Sequence, residues 1–410
     1  MRKKSLLVAG LAISLLATMS MGMISCSKDD PKPDVVENPL DAEVYYIIGK
    51  VSQGTAALEG VKVSAGGSEA TTAADGTFQL EVTKKGDYSV AFAKDGYISV
   101  SANATIASDA AKRSSVAVLQ ELTKANAPVT VEPDKEATVS GGEESAASLD
   151  IPAGAVKTAT DITVTEYVAG AQKEATHASL STINCQPDGL TFEKPVKVSV
   201  KNQTSSTIYF ADVVHYVEKS GSWTKSGDAA YDASANAYVT ELTSFSNHSF
   251  GPSYTAASKG SSSEDLGEVT IDNLGNMSAK DGEIKAKQKM GWTIDGDLSA
   301  LLKAQFPALT SADIESLVAS INSAIASTKG ASAGISESTV SMGTAKVSGD
   351  TKMTVKLSAS VRQTTGTFNF MYQGKPVSFS VPVKTYSGVA TQITYQYGSS
   401  HTDHSGGTGK

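Results

Sequence analysis

Apolar and polar residues alternate with a period of two along much of this chain, the spacing of half-buried β-strands. Tyr45-Tyr46-Ile47-Ile48-Gly49-Lys50-Val51 opens a first group of strands. Gly60-Val61-Lys62-Val63, Thr77-Phe78-Gln79-Leu80 and Tyr88-Ser89-Val90-Ala91-Phe92 follow it. Asp75-Gly76 and Lys94-Asp95-Gly96 read as turns between them, because glycine tolerates positive φ. A second group runs through Leu149 to Val156, Asp161 to Thr165 and Pro187 to Val198. Near the end of the chain the striping is strongest. Met353, Val355, Leu357, Ala359 and Val361 fall on one face, and Lys352, Thr354, Lys356, Ser358, Ser360 and Arg362 on the other. Phe368, Phe370 and Tyr372 predict a hairpin across Gln373-Gly374 with Val377, Phe379, Val381 and Val383. Val389, Thr391, Ile393, Tyr395 and Tyr397 make one more striped strand.

The period changes once. Ile314, Leu317, Val318, Ile321 and Ile325 form a helical apolar stripe over 311–329. Ser311 offers a cap, Thr310 with Asp313 an alternative capping pair, and Gly330 a stop. A shorter helix is predicted around Leu298 to Gln305. The pattern as a whole predicts a mainly β protein: two β-sandwich domains in tandem, 44–122 and 128–252, then a C-terminal α+β domain, 266–410, with an antiparallel sheet and a helix on one face. Tyr254 to Asp265, rich in Ser, Gly and Ala, reads as a linker. Within the last domain, Val355, Leu357, Phe370 and Phe379 are expected in one core with Ile314, Leu317 and Ile321. Trp223, after the Ser220-Gly221 turn, is expected to plug the second core.

The N-terminus has a different grammar. A basic head, Arg2, Lys3 and Lys4, precedes the apolar run Leu6 to Leu16 and then small residues. That is a secretory signal peptide over 1–25, too short to span a membrane. Its end, Met23-Ile24-Ser25-Cys26, resembles the lipobox of bacterial lipoproteins. The resemblance implies a diacylglycerol on the Cys26 sulfur and an acylated, palmitate-type, amine; buried acyl chains at about 0.8 kcal/mol per CH₂ give durable anchoring. Ser27-Lys28-Asp29-Asp30 resembles the export signal of Bacteroidetes-type surface lipoproteins, so Lys28, Asp29 and Asp30 imply the cell outer membrane, facing the exterior. Pro31-Lys32-Pro33-Asp34 and the polar residues to 43 read as a flexible stalk, 26–43.

Charge narrows the partners. In 410 residues, 35 Lys and Arg stand against 43 Asp and Glu, a net of −8; without Arg2, Lys3 and Lys4 it becomes −11. That argues against nucleic acid, which needs a basic face. With Cys26 lipidated, Cys185 has no disulfide partner, and Thr182-Ile183-Asn184-Cys185 reads as a strand with a small buried thiol.

The matched pieces of 44–122 are Gly49-Lys50-Val51, Gly60-Val61-Lys62-Val63, Asp75-Gly76-Thr77-Phe78 and Gly96-Tyr97. They resemble the carboxypeptidase regulatory-like family, which implies a transthyretin-like sandwich acting as a spacer or docking module. Ile151-Pro152-Ala153-Gly154-Ala155 and Pro187-Asp188-Gly189-Leu190-Thr191-Phe192-Glu193-Lys194-Pro195-Val196 resemble the ZU5 domain. Some domains of that kind cut themselves within a Ser-Phe-Ser sequence. Here Ser244-Phe245-Ser246 occupies that place, with cleavage at Phe245-Ser246 and His215 as the candidate base. The alternative is that Phe245 simply fills the core. His401-Thr402-Asp403-His404 has the chemistry of a transition-metal site, His401, Asp403 and His404 being the ligands, against a solvated terminus as the alternative. No cofactor motif is present, and neither Gly-x-Ser-x-Gly nor His-Glu-x-x-His occurs. The sequence therefore predicts a non-enzymatic surface lipoprotein in binding or adhesion, its partners the membrane through the anchor and a surface protein or polysaccharide. The alternatives are membrane insertion or pore formation through the C-terminal domain, and a glycan-processing enzyme.

Overall fold

Tyr45, Tyr46, Ile47 and Ile48 are buried without a break, which marks a strand covered on both faces. The computed structural model describes residues 43–143, 145–171, 178–219, 222–272, 280–347 and 351–397. It sets this strand between two cores. Tyr45 and Ile47 join the interior of the first sandwich. Tyr46 and Ile48 join a second cluster with Ala286, Met290, Val355 and Leu357, from the far end of the chain. The first sandwich is therefore docked on the C-terminal sheet and is not a free-standing spacer.

The first sandwich comprises β1 (Tyr45–Gln53), β2 (Ala56–Ala57), β3 (Lys62–Ala65), β4 (Ser68–Thr71), β5 (Thr77–Val82), β6 (Gly86–Ala93), β7 (Val100–Ile106) and β8 (Ser115–Glu121). One sheet has β1 between β5 and a parallel β8; the other runs β4-β3-β6-β7. Alternate residues face the interior, as on β5 with Phe78, Leu80 and Val82. The second domain adds β9 (Val129–Val131), β10 (Ala137–Ser140), β11 (Ala147–Ile151), β12 (Thr160–Glu166), β13 (Ser181–Gln186) and β14 (Thr191–Lys201). It continues with β15 (Ile208–Phe210), β16 (Val213–Lys219), β17 (Ser222–Asp228), β18 (Ala230–Asp232), β19 (Ala237–Ser244) and β20 (Asn247–Pro252). Its sheets run β10-β11-β14-β19-β18 and β17-β16-β20-β13-β12-β9. Trp223 does not plug the core. It lies half-buried on β17, the edge strand of its sheet, beside a pocket of about 230 Å³ that Phe92 of the first sandwich also lines.

The last sheet is built from β21 (Tyr254–Asp272), β22 (Lys280–Ile294), β23 (Gly334–Val347), β24 (Thr351–Tyr372) and β25 (Lys375–Tyr397). These strands have 19, 15, 14, 22 and 23 residues, against a usual five or six. The order is β24-β25-β22-β23, with β21 and the short β15 both on the free edge of β24. The hairpin pairs Phe370 with Val377 and Phe368 with Phe379, and Gln373 and Gly374 take positive φ at its turn.

Tyr254 to Asp265, expected as a linker, is the first part of β21. Its backbone pairs along β24 from Tyr254 opposite Phe368 to Asp272 opposite Lys352. Hydrogen bonding to a long neighbour satisfies the backbone, so the segment needs no apolar stripe of its own. Lys289 of β22 reaches Glu264 of β21 (2.8 Å) and lies over the Tyr386 ring (4.8 Å).

Between β22 and β23 lie α1 (Leu298–Gln305) and α2 (Ser311–Lys329). Asp297 caps α1 by accepting from the Ala300 N–H (3.1 Å). At α2, Thr310 is the cap: its hydroxyl accepts from the Asp313 N–H (3.1 Å) and Asp313 accepts from the Thr310 N–H (3.3 Å). Gly330 ends α2 at φ 76°. Ile314, Leu317 and Ile321 share one core with Phe370 and Phe379, and that core is continuous with the second sandwich through Leu149, Val198 and Phe210. Val355 and Leu357 belong to the other cluster. The expected single core is thus divided. Leu357 and Phe370 lie roughly 43 Å apart along one strand, while α2 is only about 28 Å long. All described residues belong to one compact unit spanning 38–410.

Candidate ligand-binding cleft

Small polar residues from four separate parts of the chain converge where the two sandwiches meet α2. They enclose a cleft of about 660 Å³, within the range of small-molecule sites. Asn126 sets one wall, donating from Nδ2 to the carbonyls of Gly141 (2.8 Å) and Val164 (2.7 Å). Glu166, at the end of β12, accepts from the Ala146 N–H (2.9 Å). Glu121, at the end of β8, accepts from the Gly54 N–H and the Ser332 hydroxyl, both at 3.1 Å. The carbonyl of Gly330 accepts from the Glu121 N–H (2.8 Å), so the end of α2 is stitched to the first sandwich. A Cβ at position 330 would meet the Leu119 carbonyl at 2.6 Å, a second reason for glycine there. On the helix side, the Ser327 hydroxyl accepts from the Ser179 N–H (2.7 Å).

Two residues of the lining, Ser181 and Asn322, each carry a buried polar atom with no protein partner, the Ser181 hydroxyl and the Asn322 side-chain carbonyl. Ser181 is only 3% exposed. Buried polar atoms are nearly always satisfied, and those that are not ask for an explanation. The charged residues of the lining are Glu121 and Glu166; no Lys, Arg or His lines it among the described residues. Burial, with the Glu218 charge, holds the Tyr167 phenol far above its ordinary range, so it stays neutral at the cleft floor.

No protein-family model and no curated protein matches the sequence. Solved structures similar to it at a distance include three. One is a Bacteroides vulgatus protein described as a candidate pore-forming toxin, 9% identical over 88% of this chain and 95% of that one, with a TM-score of 0.31. Another, from Bacteroides fragilis, is described as a candidate membrane-associated protein of unknown function, 12% identical over 87% and 100%, at 0.30. A lamprey immune protein is 11% identical over 65% and 100%, at 0.15. Likenesses this low carry no argument about function.

Of the residues singled out in the sequence, Cys26, Lys28, Asp29, Asp30, His401, Asp403 and His404 lie outside the described residues. His215, Phe245 and Ser246 are described, but hydrogen bonding does not join His215 to Ser246. His215 Nε2 meets His248 Nδ1 at 3.0 Å, and its ring stacks on Phe250. The Ser246 hydroxyl donates to the Glu218 carbonyl (3.3 Å). Phe245 is buried edge-on to Phe192, and its carbonyl accepts from the Gly189 N–H (3.1 Å). Burial lowers His215 to about 4, and burial followed by the His215 charge lowers His248 to about 3. Both are neutral, weak bases at pH 7. His248 went unnoticed in the sequence because nothing near it suggests a partner; register alone brings β20 beside β16. Cys185 is fully buried and burial raises its thiol, so it is held as the inert neutral form. No helix among the described residues is long and apolar enough to cross a membrane.

Proposed function

We propose that this protein is a lipid-anchored binding or adhesion protein of the cell outer membrane, tethered through Cys26 and facing the exterior, which holds surface material rather than transforming it. The observation that supports the reading is the junction cleft. It is lined by small polar residues, and its two carboxylates are engaged in holding neighbouring segments: Glu121 holds the Gly54 N–H and the Ser332 hydroxyl, and Glu166 holds the Ala146 N–H. Groups committed to loops suit recognition better than proton transfer, which needs a carboxyl free to approach its substrate. The likeness of 44–122 and 128–252 to carboxypeptidase regulatory-like and ZU5-like modules agrees with a scaffold. The test uses cells displaying the full chain on glycan and protein arrays. Capture should exceed that of cells carrying Cys26→Ala, and palmitate-analogue labelling should vanish in the same variant. Equal capture by both, or a label that survives, refutes the reading.

One observation favours a second reading. The five strands of the last sheet have 14 to 23 residues, more than the roughly 9–11 that cross a bilayer. On that reading the sheet leaves α1 and α2 and enters lipid, and vesicle leakage is its signature. Against it stands the cover already on the sheet: Phe370 and Phe379 are buried with α2, and Val355 and Leu357 with β1.

A further inference from the structure

A smaller pocket lies where β16, β17 and β20 face the first sandwich, and its chemistry differs from that of the junction cleft. We infer that this pocket, walled by Trp223, Glu218 and Tyr167, binds a small organic cation, a methylated ammonium of the choline type. The site goes beyond the binding reading above. It shares only Tyr167 with the lining of the junction cleft, so the two stand or fall separately.

Register builds the site. Glu218 of β16 stands directly opposite Trp223 of β17. The two side chains therefore leave the same face of the sheet as neighbours, their Cβ atoms about 4.5–5.5 Å apart. Beyond Glu218, Asn247 of β20 donates from Nδ2 to Glu218 Oε2 (2.6 Å). Asn247 Oδ1 in turn accepts from Asn184 Nδ2 of β13 (2.7 Å). Two amides in series thus aim their donors at the carboxylate and fix its position. Glu218 is also close enough to Tyr167 for its charge to add to burial in raising the phenol. The carboxylate therefore stands beside both aromatic side chains. Residues 99–101 of the first sandwich line the opposite wall, and the pocket holds about 230 Å³. That is room for one small head group, below the range of drug-sized sites.

These groups select a cation. An indole face attracts a positive charge placed within about 6 Å of its centre. Glu218 supplies a countercharge on the same face, and between two domains its field is weakened less than in bulk water. A methylated ammonium suits the pair, because its methyl groups cover the ring while its charge faces the carboxylate. An anion meets repulsion from Glu218, and a neutral molecule of the same shape forgoes the charge. Lys225, next but one to Trp223 on β17, does not fill the role: its Nζ pairs with Asp228 (2.8 Å), and it is not part of the lining. A neutral sugar also stacks on an indole, and the experiment distinguishes it.

The full chain is titrated by calorimetry with choline, with its uncharged carbon isostere, in which a tert-butyl group replaces the trimethylammonium, and with glucose. Choline should bind wild type and Glu241→Gln alike. Glu241 is exposed on the other sheet of the second domain, so this control removes one negative charge away from the pocket. Glu218→Gln keeps the side chain's size and an oxygen for Asn247 but removes the charge, and should weaken binding by about tenfold or more. Trp223→Leu should weaken it too, and Trp223→Tyr should retain most of it, since tyrosine still offers a ring face. A purely structural Trp223 would lower the melting temperature and leave choline affinity unchanged. Choline binding that survives Glu218→Gln, or that the carbon isostere matches, overturns the recognition of charge. Trp223→Tyr binding no better than Trp223→Leu removes the ring from the site. Glucose binding in place of choline overturns the ligand class. No choline binding by wild type overturns the inference and leaves the binding reading to the glycan and protein arrays.

Discussion

His215 and His248 are two imidazoles buried in direct contact, and their chemistry makes a sharp stability prediction. Burial holds them near 4 and 3 in the folded chain, against 6.5 when exposed. As the pH falls from 6.5, the unfolded chain takes up protons that the folded chain refuses, so stability must fall. The loss develops between pH 6.5 and about 4 for His215, and continues to about 3 for His248. Asp313, held low chiefly by the Thr310 hydroxyl, loses its share only below 3.8. Urea midpoints at pH 7 and pH 5 should therefore differ, and His215→Gln should reduce the difference. An unchanged difference would mean that the buried pair is not its source. This pair was half-legible in the sequence: His215 drew notice as a candidate base, while its partner was invisible until β16 and β20 were in register. The cleft was less legible still. Serines and asparagines from residues 121–332 carry no spacing rule, because what unites them is a junction of domains and not an element.

At the scale of elements, α2 is the clearest object in the sequence and also in the fold. Its stripe, cap and glycine stop are all local signals, and local signals survive in the chain alone. Removing the cap hydroxyl, Thr310→Ala, should cost about 1 kcal/mol, read as a lower denaturation midpoint; no change would mean that Asp313 and water satisfy the first turn unaided. Strand β21 is the converse case. Ser258, Gly260, Ser261, Ser262 and Ser263 read as linker, and they are strand because β24 supplies a row of backbone partners. A long strand also divides its residues among cores, which periodicity does not reveal. Leu317 sits in the helix core and Leu357 in the cluster with β1. Each change to Ala should cost about 2–5 kcal/mol. Their double variant should be additive to within about 0.5 kcal/mol, as for sites without shared neighbours. A larger coupling in the cycle would place them in one core after all.

On the scale of the molecule, β1 is the wall that decides how the parts combine. Its unbroken apolar run is the signature of a strand covered twice, and the second cover is the long sheet. Ile48→Ala should therefore speed amide exchange in Ala286 to Met290, which Ile47→Ala, directed at the sandwich interior, should affect less. Equal effects of the two would detach the sheet from this contact. The docking bears on function, since a sheet clamped by β1 on one part and by α2 on another is a held surface. That argument favours binding over insertion, and vesicle leakage tests it most directly. Phospholipid vesicles loaded with a self-quenched dye are mixed with the full lipidated chain, and the fluorescence is followed. If the sheet stays clamped, dye release will not exceed that caused by an unrelated lipoprotein at the same concentration. Release well above that level, suppressed by a disulfide that pins α2 to β24, would contradict the account.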